Sequence, residues 1–147
     1  MNRSSIGAAI ACSLFLGMPL SASAGSAYGC DAVNFSKEVL DKMPNAQKLC
    51  RGVTEKNGGI YVKYVGKVVA SSAESTTIEF LDNDNKAVSR ATFKPAPDQM
   101  ANVDGKKMKY ADVKKGTELH FYIENKRWGL FGGPDDKAMT IMSVEQL

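Results

Sequence analysis

The sequence predicts a mainly β protein, a small antiparallel barrel of five or six strands with an N-terminal helical cap. A short β-sandwich is the alternative. Apolar residues alternate with a period of two from Ile60 onward, and turn residues separate the alternating segments. Before residue 60, apolar residues recur with helical spacing instead. An open flat sheet would leave its edges unpaired, which favours closure into a barrel.

The first 24 residues predict an export signal. Arg3 supplies a positive charge, residues 6–18 form a short apolar core, and Ala22 and Ala24 are the small residues of a cleavage site. Residues 25–147 would then form one domain in the periplasm or the extracellular medium. No later segment has the roughly 20 apolar residues of a membrane span, so no transmembrane anchor is expected.

The helical cap is predicted within residues 25–59. A helix is expected over residues 31–43, with Asn34 as its N-cap, because apolar residues recur there at helical spacing. Pro44 interrupts this pattern. A second short helical stretch is expected over residues 45–51, ending at Gly52.

The cysteines predict one disulfide bond. Removal of the export signal removes Cys12 and leaves Cys30 and Cys50. An even pair of cysteines in an exported protein is typical of a structural bridge, and the spacing is far from the C-x-x-C of redox pairs. The bridge would join the two ends of the helical cap.

Strands are expected from residue 60 to residue 144. The predicted segments are 60–69, 76–81, 88–93, 99–103, 106–110, 117–124 and 138–144. Residues 82–86 and the Asp104-Gly105 pair predict hairpin turns. Gly66 is a candidate bulge or bend in the first long strand. In the 117–124 strand, residues 119, 121 and 123 are expected to face inward, and one helical turn is expected over residues 111–116.

One run of the chain carries a resemblance to a known group of proteins. The tight Asp104-Gly105 hairpin is followed by Asp112-Val113-Lys114-Lys115-Gly116-Thr117. This order resembles a recurrent pattern in small bacterial periplasmic OB-like β-barrel domains. The resemblance extends over about residues 60–144 and implies an OB-like barrel in the cell envelope. Many of these domains have no assigned function, so the resemblance implies no activity and no cofactor.

Composition disfavours two functional classes. The formal net charge is +3, and it falls to +2 without Arg3; this near balance argues against a nucleic-acid partner. His120 is the one histidine, and the sequence has no motif of a catalytic nucleophile, a zinc hydrolase or a phosphate-binding loop. We therefore expect a protein that is not an enzyme and needs no cofactor.

The loop over residues 125–137 is the predicted contact surface. It places large apolar and cationic side chains among glycines, as binding loops do. The predicted binding residues are Arg127, Trp128, Leu130 and Phe131, with His120 and Tyr122 on the preceding strand. The partner would be an envelope protein, a glycan or a small ligand. If the loop side chains are buried, the predicted surface moves to Tyr61, His120 and Tyr122.

Two alternative functions remain open at this stage. The first is a periplasmic carrier of copper or silver, because thioether and imidazole groups suit soft cations. Its predicted ligands are His120, Met108 and Met142, although the Met-x-Met pair of known OB-like copper carriers is missing. The second is a small envelope hydrolase that acts through carboxylates not identifiable from the sequence.

Overall fold

The computed structural model describes residues 29–147, so the predicted export signal and its cleavage site lie outside the described residues. The prediction of a mainly β protein is confirmed. The regular elements are α1 (Lys37–Lys42), β1 (Gly52–Lys56), β2 (Gly59–Ser71), β3 (Thr76–Leu81), β4 (Ala87–Lys94), β5 (Met100–Val103), β6 (Lys106–Lys109), β7 (Glu118–Glu124) and β8 (Thr140–Gln146). Two short 3-10 turns cover Cys30–Ala32 and Tyr110–Asp112.

The long strand β2 organises the main sheet. One edge of β2 pairs with β1 through residues 59–63 and with β3 through residues 65–71. Its other edge pairs with β7 through residues 61–67. The antiparallel path continues from β3 to β4 and β8, whereas β5 and β6 form a separate hairpin. All seven strands predicted from the sequence therefore form, with shifts of a few residues at their ends.

The predicted barrel is not closed by continuous strand pairing. Within residues 29–147, the paired path ends at β1 and β8, and β7 does not pair with β8. Two isolated bridges lie in this gap: Tyr122 of β7 pairs with Phe131, and Leu130 pairs with Met139. Flanking glycines and a proline interrupt the segment that contains Leu130 and Phe131, which limits the length of extended pairing there.

The core lies on the inner face of the sheet. In β7, Leu119, Phe121 and Ile123 are buried, as the alternation predicts. Gly66 allows β2 to approach this layer closely, because a Cβ at this position would lie 2.9 Å from Cε2 of Phe121. Of the two alternatives predicted for Gly66, the bulge is wrong, because the register of β2 against β3 shifts between Val68 and Ala70.

The N-terminal segment contains less helix than predicted. Helix α1 begins after Ser36, whose hydroxyl accepts a hydrogen bond from the Val39 amide at 3.3 Å. Asn34 is not the N-cap, because its carbonyl accepts a hydrogen bond from the side chain of Asn125 at 3.0 Å. Residues 44–49 form hydrogen-bonded turns in place of the second helical stretch predicted over residues 45–51.

The predicted disulfide is present. Cys30 and Cys50 are bonded, with their Cα atoms 5.9 Å apart. The segment between them buries four side chains completely, those of Val39, Met43, Ala46 and Leu49. The bridge therefore closes a segment whose apolar side chains already belong to the core.

Strand β1 was not predicted from the sequence. Its burial pattern shows no alternation, and its last three residues, 54–56, are exposed. The missed signal was Asn57-Gly58, since both residues have positive φ angles, 49° and 78°. Asn-Gly with positive φ at both positions is typical of a two-residue hairpin turn.

Candidate functional site

A cleft of about 820 Å³ opens between three parts of the chain. The β5–β6 hairpin and the residues before it form one wall, the outer face of β7 forms the second, and residues 132–139 form the third. Its volume is in the range of small-molecule binding sites. The cleft is the candidate functional site.

Tyr110 forms the inner end of the cleft. It follows β6 directly, and its ring packs edge-on against Phe93 with the ring centroids 5.4 Å apart. Its carbonyl accepts hydrogen bonds from the Ser71 hydroxyl and the Val113 amide. The side chain is 4% exposed, and its hydroxyl makes no hydrogen bond with another residue in the described range. Ring and backbone are thus fixed while the hydroxyl stays available.

A carboxylate lies beside this hydroxyl. Asp136 closes a tight turn in which its amide donates to the Gly133 carbonyl at 3.0 Å. A Cβ at Gly132 would lie 2.8 Å from Oδ2 of Asp136 and 3.7 Å from the Tyr110 hydroxyl. Burial and the nearby charge of Asp136 raise the pKa of Tyr110 to about 12. The phenol is therefore protonated at neutral pH and can both donate and accept a hydrogen bond.

Contacts at the rim join two walls of the cleft. The side-chain amide of Gln99 donates to the Lys137 carbonyl at 2.9 Å, and its oxygen accepts from the Ala96 amide at 2.7 Å. Asp98 and Lys137 form an exposed ion pair at 3.7 Å. These contacts hold the segment before β5 against the 132–139 segment, so the cleft does not depend on the β5–β6 hairpin alone.

His120 and Tyr122 line the β7 wall, as their outward positions in the strand predict. Partial burial and the charge of Lys63 lower the pKa of His120, while Glu118 acts in the opposite direction. The imidazole is therefore mainly neutral at neutral pH. Tyr122 is half-buried, and its burial raises the pKa of its hydroxyl. Both side chains offer neutral polar groups to the cleft.

The four loop residues predicted to form the contact surface differ in their exposure. Leu130 and Phe131, two of the predicted contact residues, are buried. Phe131 bridges to Tyr122 of β7, and Leu130 bridges to Met139, the residue before β8. Arg127 is exposed, pairs with Glu124 at 2.9 Å and lies over the Phe131 ring at 5.6 Å. Trp128 is half-buried and packs against the core. Neither Arg127 nor Trp128 lines the cleft.

The three residues predicted for a soft metal do not share the cleft. His120 lines it, whereas Met108 packs partly against the core and Met142 on β8 is 62% exposed. Two other methionines line the cleft instead, Met100 at 40% exposure and Met139 in a buried position. The cleft therefore contains two thioethers and one imidazole, in a combination that the sequence did not predict.

Sequence reasoning also missed Tyr110 and Asp136. Tyr110 was predicted as the end of a strand, and Asp136 as part of a glycine-rich loop. No local pattern distinguishes either residue, because they meet only when the 132–139 segment folds back over the end of β6. The Gly132-Gly133-Pro134 run was the available signal, since consecutive glycines allow close approach of a backbone to another group.

Two further findings concern metal-binding groups and membrane-spanning helices. In residues 29–147, no group of three His, Cys, Asp or Glu side chains is arranged to hold a metal ion. No helix in the same range has the length and apolar character needed to cross a membrane.

No protein-family model matches this chain, and comparisons with curated proteins and with solved structures give no match.

Proposed function

We propose that this protein is a non-enzymatic binding domain of the cell envelope or extracellular medium, with the cleft as its ligand site. The observation that carries the proposal is the hydroxyl of the buried Tyr110, unpaired within residues 29–147. A side chain that is 4% exposed normally satisfies its hydroxyl inside the protein. Here the hydroxyl has no partner among the described residues, and Tyr110 lines a cleft of about 820 Å³, so the hydroxyl is available to a ligand.

The proposed location outside the cytoplasm has two supports. Residues 1–24 have the charge, apolar core and small residues of an export signal. The Cys30–Cys50 disulfide is typical of proteins that fold in an oxidising compartment.

We also propose that the scaffold is a partly open OB-like barrel, as the resemblance of residues 103–117 implies. The support is the role of β2, which pairs on one edge with β1 and β3 in succession and on the other edge with β7. A long strand shared in this way curves the sheet around a core. The register shift between Val68 and Ala70 adds to that curvature.

The proposal is tested by a ligand-observed NMR screen of a fragment library against the purified, oxidised protein. Met100 and Leu40 offer a matched pair, because each is 40% exposed and only Met100 lines the cleft. Fragments that bind the parent protein should lose affinity on Met100→Ala and keep it on Leu40→Ala. Equal binding by both variants, or no bound fragment at all, would count against the cleft.

A second candidate function is favoured by one observation, the presence of Met100, His120 and Met139 in the same cleft. Thioether and neutral imidazole groups are ligands for Cu(I) and Ag(I). A carrier of these ions would bind one Ag(I) per molecule in native mass spectrometry, and Met100→Ala would remove the adduct. No adduct at equimolar Ag(I), or an adduct retained in Met100→Ala, would reject this candidate.

A further inference from the structure

The charge of the cleft is opposite to the charge of the whole chain. The chain has a formal net charge of +3. Five carboxylates line the cleft, those of Asp98, Asp104, Glu118, Asp135 and Asp136, against the two lysines Lys107 and Lys137. A cleft lined mainly by one sign of charge concentrates ions of the other sign. The excess of carboxylates over lysines in the cleft therefore favours a cationic ligand.

Some of these carboxylates are already neutralised at the rim. Asp98 pairs with Lys137 at 3.7 Å, and Asp135 pairs with Lys56 at 3.2 Å. Asp136 makes no ion pair with any residue from 29 to 147. It is also the carboxylate that lies next to the Tyr110 hydroxyl. Asp104 and Glu118 likewise make no ion pair among the described residues. The exposed Asp136 is distinguished from them by its position near the buried Tyr110.

Resting on the proposed function, we propose that the cleft binds a small organic cation whose ammonium group is held by the Asp136 carboxylate and the Tyr110 hydroxyl oxygen. An ammonium group has three donors and no acceptor, so it satisfies both oxygens at once. The Asp136 contact is a charge-assisted hydrogen bond, which is stronger than a neutral one. Gly132 leaves the space that the Asp136 carboxylate occupies, because a Cβ there would lie 2.8 Å from Oδ2 of Asp136.

The arrangement favours an organic cation over a metal ion. A hard divalent cation needs several oxygen ligands converging on one point. No three acidic or imidazole side chains of the described residues converge in this way. The carboxylates are instead distributed along the cleft, from the hairpin turn at Asp104 to the turn at Asp136. Charges distributed along a cleft suit a ligand that carries more than one amine.

The cleft also offers apolar and aromatic contacts for the carbon chain of such a ligand. Met100 and the half-buried Tyr122 line the walls. Methylene groups pack against a thioether, and an ammonium group is attracted to the face of a tyrosine ring. The ligand class is therefore an aliphatic amine with two or more positive charges.

The test uses spermidine as the probe and a neutral polyether of the same length as its control. Amide shifts of the purified protein are followed in a titration with each compound. Spermidine should shift the amides of Gly132, Gly133 and Asn102 to saturation, and the affinity should fall as sodium chloride is added. The polyether should leave these amides unchanged.

Three variants assign the effect to Asp136. Asp136→Asn should weaken spermidine binding about tenfold, because it removes the charge from the ammonium contact. Gly132→Ala should weaken binding with the charge intact, because its Cβ displaces the same carboxylate. Asp84→Asn removes an exposed carboxylate outside the cleft and should leave binding unchanged.

The outcomes separate this inference from the proposed function. Equal affinity of Asp136→Asn and the parent protein, or equal binding of the polyether and spermidine, would overturn the cationic ligand. If neutral fragments bind the cleft in the Met100-dependent screen and spermidine does not, the proposal of a binding domain is retained and the proposal of a cationic ligand is rejected. If neither fragments nor spermidine shift the cleft amides, both proposals fail.

Discussion

Tyr110 combines a fixed ring with a hydroxyl that lacks a partner among the described residues. Its ring contributes to the core through Phe93, and the Ser71 hydroxyl holds its carbonyl. The two halves of this side chain therefore have separable roles: the ring stabilises the fold and the hydroxyl serves the cleft.

This division predicts the behaviour of Tyr110→Phe. The variant keeps the ring and removes only the hydroxyl, so the free energy of unfolding should change by less than about 1 kcal/mol. Affinity for a cleft ligand should fall. Chemical denaturation measures the first effect and ligand titration the second. A large loss of stability with unchanged ligand affinity would show that the hydroxyl serves the fold instead.

Gly66 lies where the packing of β2 leaves no room for a side chain. Alanine at this position would place a methyl group 2.9 Å from the Phe121 ring and 3.1 Å from Cδ1 of Ile78. Gly66→Ala should therefore destabilise the protein by about 1–3 kcal/mol. Gly52→Ala is the matched control, since a Cβ there meets no atom within 4 Å. Similar unfolding midpoints for the two variants would contradict the close approach of β2 to β7.

Asp82 gives a prediction about pH. The Lys86 and Asp84 amides donate to its carboxylate at 3.0 and 2.9 Å, and these hydrogen bonds, the Lys86 one foremost, lower the pKa of Asp82. The folded state then holds the proton less tightly than the unfolded chain, whose pKa is about 3.9. The stabilisation is complete above that pH and is lost as the pH falls through the lower folded value.

Asp82→Ala tests this assignment. At neutral pH the variant should unfold at a lower temperature than the parent protein, and the difference should shrink as the pH is lowered below about 4. Asp84→Ala changes an exposed residue of the same turn and should show a smaller effect. A difference that stays constant down to acid pH would mean that Asp82 does not stabilise the fold through its charged form.

At the scale of elements, the disulfide and the segment that it closes are the feature most open to experiment. Cys30 and Cys50 enclose a loop with a sequence separation of 20 residues. Reduction should lower the free energy of unfolding by about 3 kcal/mol in the chain-entropy model. The sheet should persist, because the buried side chains of the segment still pack on it.

The measurement is thermal unfolding with and without reductant, with the double variant Cys30→Ala, Cys50→Ala as control. Reductant should lower the midpoint of the parent protein and leave that of the double variant unchanged. An unchanged midpoint for the parent would show that the two cysteines are not bridged in solution.

An element could be predicted when its pattern in the sequence is local. β2, β3, β4 and β7 follow from alternating apolar residues, which is a local pattern. β1 has no such alternation, so only the Asn57-Gly58 turn indicated it. The start of α1 was misplaced because Asn34 is engaged by Asn125, a contact between residues 91 positions apart.

At the scale of the whole molecule, the cleft is assembled from segments that are distant in sequence. The β7 wall could be predicted, since His120 and Tyr122 face outward in a clear strand. The positions of the β5–β6 hairpin and the 132–139 segment could not, because they depend on long-range contacts such as Gln99 with Lys137. For the same reason Leu130 and Phe131, which look like loop residues in the sequence, are part of the fold.

The central claim is that the cleft, and not the loop around Arg127 and Trp128, is the binding site. The most direct measurement is an amide chemical-shift map of the purified, oxidised protein with the strongest-binding fragment of the library screen. We predict that the shifted amides cluster at Asn102, Leu119, Gly132 and Gly133, around the cleft. Shifts concentrated at residues 126–129, with the cleft amides unchanged, would contradict the account.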